Sequence, residues 1–86
     1  MENHRTDHHR IEDWDVFVCV GWDVLERAYV GRAELYLNGG FRCRIGLRRD
    51  FETIDDAANS LERSSRSFIE DWKQREHSAD TDFTEL

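Results

Sequence analysis

The chain has 86 residues, with 12 Lys or Arg against 19 Asp or Glu and a net charge of −7 when its four histidines are neutral. That length allows a single domain, and the absence of any apolar run near the roughly 18 residues of a membrane span, or of a charged-then-apolar leader, leads us to expect a cytoplasmic protein that contacts no membrane. Two cysteines without a CxxC pair exclude a disulfide scaffold and suit a reducing compartment.

Residues 1–10 (MENHRTDHHR) carry no apolar side chain after Met1 and show no periodicity. They offer nothing to offset the entropy of ordering a chain, so the segment is expected to be a disordered tail. His4 and His8 have the four-residue spacing of a metal pair on a helix, but a structural metal site needs four ligands in a folded shell. No metal and no cofactor are expected.

Residues 14–20 (WDVFVCV) alternate, with Trp14, Val16, Val18 and Val20 on one face and Asp15, Phe17 and Cys19 on the other. Period two with β-branched and aromatic residues reads as a strand. The four-member apolar face is the inner one, because burying Asp15 is costly.

Residues 30–37 admit two readings. Asp23 and Glu26 have the spacing of a capping box, and Asn38-Gly39 suits the end of a helix over 24–37. Against this, Val30 and Gly31 are poor mid-helix residues. A hairpin with residues 41–48 (FRCRIGLR) is favoured by register. With a three-residue loop, Asn38-Gly39-Gly40, Leu37 lies opposite Phe41, Leu35 opposite Cys43 and Ala33 opposite Ile45, all inside. Outside, Tyr36 lies opposite Arg42 and Glu34 opposite Arg44. A two-residue loop places Leu35 opposite Arg42, and a slip of one residue reverses every side chain.

Residues 54–75 form a helix. Thr53 is its cap, Asp55 and Asp56 fall in the first turn, and Lys73 and Arg75 in the last. Ile54, Ala58, Leu61, Ser65, Phe68 and Trp72 make one apolar stripe, with Ser64 and Ser65 letting the helix approach the sheet. Glu62–Arg66, Arg66–Glu70 and Asp71–Arg75 are opposite-charge pairs four apart. Residues 76–86 (EHSADTDFTEL) are expected to be a disordered acidic tail. The expected fold class is therefore α+β: a three-stranded antiparallel sheet (about 14–20, 30–37 and 41–48) packed on one C-terminal helix, in the order βββα.

Tyr29-x-Gly31, Gly39-Gly40-Phe41, Phe51-x-Thr53, Ala57-Ala58 and Phe68-Ile69-Glu70-Asp71-Trp72 together resemble a group of small uncharacterised proteobacterial proteins. The resemblance spans residues 29–75 and implies a fold and a bacterial cytoplasm, but no chemistry. The order βββα is also similar to the sheet-plus-helix DNA-reading domains of plant transcription factors and some integrase arms, an analogy of fold alone.

Catalytic signatures are lacking. No histidine lies in the expected folding unit, a single βββα domain over residues 11–75, and the serines of the helix have no activating base. Cys43 belongs to the core, and Cys19 lies on the outer face beside acids, a setting that does not activate a thiol. An enzyme is not expected.

Charge is unevenly placed. Residues 11–26 hold five acids and no base, whereas residues 27–49 hold six arginines and one acid. The hairpin register gathers Arg32, Arg42, Arg44 and Arg48 on the outer face with Tyr36, and Phe17 joins them from the first strand. Arginine offers a planar fork to carboxylate or phosphate and stacks on rings. That face is therefore the candidate binding site, for an unknown protein partner or for self-association. Nucleic acid is the alternative, opposed at long range by the net charge. A third possibility is an acidic, inhibitor-like partner using residues 11–26 or the tail.

Overall fold

The computed structural model describes residues 4–85, and the side chains of residues 4–75. Its elements are β1 (His4–Ile11), β2 (Trp14–Asp23), β3 (Ala28–Leu37), β4 (Gly40–Gly46) and α1 (Ile54–Glu85). The strands form one antiparallel sheet in the order β1-β2-β3-β4, and the helix lies across one face. The class is α+β with the helix last, as expected. The sheet, however, has four strands rather than three.

The added strand comes from the segment expected to be disordered. β1 pairs with β2 along its whole length, from His4 opposite Gly21 to Ile11 opposite Trp14. Its alternation is polar rather than apolar. Arg5, Asp7, His9 and Ile11 face the helix side, where Arg5 pairs with Asp7 and with Asp55 of α1, and His9 lies 3.8 Å from Glu62. Backbone pairing to a formed neighbour and ion pairs to the helix replace the apolar burial that the segment lacks. The β1–β2 turn puts Glu12 in the left-handed region (φ 55°), and the Asn38 amide donates to the Asp13 carbonyl, joining this turn to the β3–β4 turn.

Asp23 performs capping chemistry, but for a tight turn. Its Oδ1 accepts from the amides of Leu25 and Glu26 at 2.9 and 3.0 Å, and its carbonyl accepts from Arg27. The chain then returns as β3, so the hairpin expected over 30–37 forms and the helix over 24–37 does not. Gly31 lies opposite Val20, where a Cβ would stand 2.5 Å from the Cys19 carbonyl oxygen.

The β3–β4 pairing agrees with expectation from Arg32 to Leu35, with Ala33 opposite Ile45, Glu34 opposite Arg44 and Leu35 opposite Cys43. Beyond Leu35 the register shifts by one, so Tyr36 faces Phe41 and Leu37 faces Gly40. The turn is therefore the two-residue Asn38-Gly39, both in the left-handed region (φ 52° and 85°), the conformation this pair favours because its twist matches the strands. Arg42 is the extra residue of the resulting bulge. The bulge reconciles a two-residue turn with the buried register of Leu35 and Cys43. Phe41 consequently points outward and Arg42 does not, the reverse of the expectation.

Thr53 caps α1: its hydroxyl accepts from the Asp56 amide at 3.0 Å, with Asp55 and Asp56 in the first turn. The helix continues to Glu85, so Lys73 and Arg75 are interior rather than terminal. Residues 76–85, expected to belong to a disordered tail, continue this helix; their side chains, with residues 1–3 and 86, lie outside the described residues. The core joins Trp14, Val16, Val18, Val20, Ala33 and Leu35 of the sheet to Ala57, Ala58, Leu61 and Ile69 of the helix. Each large side chain buried there contributes about 1.5–3 kcal/mol of transfer free energy. Phe68 and Trp72 set their rings edge-on to Trp14 at centroid distances of 6.0 and 5.8 Å. Ser65 is fully buried and donates to the Leu61 carbonyl at 2.7 Å, whereas Ser64 is exposed, so only one of the two serines touches the sheet-facing core. The Glu62–Arg66 pair forms at 3.0 Å, but Arg75 lies over the Phe68 and Trp72 rings.

Candidate functional site

With the helix on one side, the opposite face of the sheet is uncovered by the described residues. Alternation brings His4, Thr6, His8 and Arg10 of β1 to it, followed by Asp15, Phe17 and Cys19 of β2, Arg32, Glu34 and Tyr36 of β3, and Phe41 and Arg44 of β4.

Four rings cross this face from edge to edge. His8 stacks on Phe17 with centroids 4.6 Å apart and planes within 5°. Phe17 meets Tyr36 edge-on at 5.6 Å, and Tyr36 meets Phe41 at 5.5 Å. Each contact joins neighbouring strands, so the row ties the whole sheet together, with roughly 0.5–1.5 kcal/mol for each aromatic pair beyond area burial. Phe17 remains 45% exposed and Phe41 51% exposed.

Two carboxylates flank the row, each held by two cationic or imidazole groups. Asp15 accepts from His8 at 2.8 Å and from Arg10 at 3.0 Å, while Glu34 accepts from Arg44 at 3.1 Å and from Arg32 at 3.4 Å. The hydrogen bond from His8, and then Arg10, hold the Asp15 carboxyl below its ordinary range.

The six residues singled out by sequence therefore separate. Phe17, Tyr36, Arg32 and Arg44 share the outer face. Arg42 leaves it: its guanidinium lies 5.7 Å from the Trp72 ring on the helix side. Arg48 lies beyond the end of β4 and lines a groove of about 500 Å³ between β4 and α1, together with Ser64, Ser67 and Asp71. The expected cluster of four outward guanidinium groups is thus reduced to Arg32 and Arg44, which share one carboxylate.

Sequence reasoning missed His8, Arg10 and Phe41. The first two belong to a strand without an apolar face, which gives period-two hydrophobicity nothing to register. The third had a signal, the Asn-Gly pair that marks a two-residue turn.

The thiols lie on opposite faces, as expected. Cys43 faces the helix side, where burial pushes its thiol up, and Cys19 lies outside with its Sγ 3.8 Å from His4 Nε2. Because β1 is a strand, His4 and His8 stand on the order of 13 Å apart rather than one helical turn. Among the described residues, no three His, Cys, Asp or Glu side chains come together as a metal site, and no helix is long and apolar enough to cross a membrane. No family model, curated protein or solved structure matches this chain.

Proposed function

We propose that this protein is a non-catalytic interaction module that binds another protein surface through the outer face of its sheet. The observation that carries the reading is the row of rings His8, Phe17, Tyr36 and Phe41, which spans all four strands while Phe17 and Phe41 remain about half exposed. Rings supply large, rigid contact area at low entropic cost, and aromatic groups with arginine are what the buried centres of protein interfaces favour.

Phosphate chemistry fits this face less well. Arg10, Arg32 and Arg44 are already engaged by Asp15 and Glu34, and these carboxylates would meet a nucleic-acid backbone directly. The net charge of −7 adds repulsion at a distance.

Site-specific photo-crosslinking in cells tests the reading. A benzophenone side chain in place of Phe17 is expected to give protein adducts, whereas the same group in place of the exposed Arg63 on the helix is not. Nucleic-acid adducts alone, or no adduct at either position, would overturn it.

A further inference from the structure

We propose that the surface seated on this face is a second copy of the same chain, packed sheet against sheet about a two-fold axis. The inference rests on the reading of the outer face as a protein-binding surface and adds the identity of the partner.

The pairing register arranges the centre of the face as two adjacent rows. One runs Arg10, Asp15, Tyr36, Phe41 from β1 to β4, and the next runs His8, Phe17, Glu34, Arg44. The first row is base, acid, ring, ring; the second is ring, ring, acid, base. Half a turn about the normal to the sheet carries one row into the other. The two carboxylates take matching places, Asp15 accepting from Arg10 at one end and Glu34 from Arg44 at the other, while their second partners differ, His8 for Asp15 and Arg32, outside the two rows, for Glu34.

A two-fold axis in the plane of the interface, whether along or across the strands, lays the arginine of each row over a ring of the second copy. With the axis along the strands, Arg10 comes over the second copy's Phe41 and Arg44 over its His8. With the axis across them, Arg10 meets His8 and Arg44 meets Phe41. Guanidinium groups stack well on aromatic faces. The charges enter the interface already paired, so none is left alone on desolvation. Strands of 8, 10, 10 and 7 residues, at about 3.3 Å per residue and about 4.8 Å spacing, offer on the order of 550 Å² per copy, below the roughly 800 Å² per partner of a standard interface. That size suits a dimer that dissociates on dilution.

Sedimentation velocity of the full chain over about 5–500 μM is expected to show a concentration-dependent shift from the 10.3 kDa monomer towards twice that mass. Phe17→Ser, checked for an unchanged far-ultraviolet dichroism spectrum, is expected to raise the dissociation constant at least about tenfold. In mixtures of isotope-labelled and unlabelled wild-type chains, intermolecular nuclear Overhauser effects are expected from the rings of Phe17, Tyr36 and Phe41. A monomer at every concentration overturns the proposal, and so do intermolecular contacts confined to strand edges or turns. Either result leaves the crosslinking experiment to decide the broader reading: adducts to a different protein at position 17 preserve it, and their absence removes both.

Discussion

Phe41 packs edge-on against Tyr36, with ring centroids 5.5 Å apart, because Arg42 is the extra residue in β4. The same bulge turns Arg42 away to the Trp72 ring. Arg42→Ala is therefore expected to alter tryptophan fluorescence and to cost about 0.5–1 kcal/mol of stability. Arg44→Ala, on the other face beside Glu34, is expected to leave the emission spectrum unchanged. Equal responses from the two variants would contradict the bulge.

Gly31 has no room for a methyl group, since its Cβ would stand 2.5 Å from the Cys19 carbonyl oxygen and 3.0 Å from Val20 Cα. Both are backbone contacts that no rotamer change relieves. Gly31→Ala is expected to destabilise the fold by about 1–3 kcal/mol in urea denaturation. Gly46→Ala, where a Cβ meets nothing within 4 Å, serves as the control.

Asp15 links stability to acid. Its folded-state value is depressed below the ordinary 3.8, chiefly by the hydrogen bond from His8 and then by Arg10. A group whose value is lowered by folding stabilises fully above its unfolded value, and this contribution disappears as pH falls through the folded one. Thermal midpoints of wild type and Asp15→Asn should therefore lie furthest apart above pH 3.8 and converge as pH falls below it. A constant separation across that range would show that the His8 and Arg10 contacts do not form in solution.

β1 provides the sharpest test of the fold. If it is a paired strand, its inward-bonded amides exchange with deuterium at least about a hundredfold more slowly than in an unfolded chain. Arg5→Ala, which removes the pairs to Asp7 and Asp55, is expected to cost under about 1 kcal/mol, because both pairs are partly exposed. Free exchange throughout residues 4–11 would return the segment to a disordered tail.

The legible parts of the fold were those written in apolar periodicity. Val16, Val18 and Val20, then Ala33 and Leu35, then Ala58, Leu61 and Ser65 are all buried where alternation or helical spacing places them. The register from Ala33 to Leu35 was legible for the same reason, since any slip would have moved those side chains into water. β1 was not legible, because its strand state is supported by a neighbour and by Asp55 and Glu62, which lie far along the chain. Phe17, Tyr36, Arg32 and Arg44 of the candidate face followed from alternation, whereas Arg42 and Arg48 did not. One is displaced by a bulge, and the other falls beyond the end of β4.

Local sequence thus determined where this chain bends and which side chains turn away from water: Asn38-Gly39 turns left-handed on its own preferences, Thr53 starts the helix, and the valines choose the inside. Tertiary structure alone decided that the first strand forms and that four rings cross the outer face in one row. The physical reason is range. Turn preference and hydrophobic period act over a few residues, while the pairing of His8 to Phe17 is set by a hydrogen-bond ladder between a polar strand and its already formed neighbour.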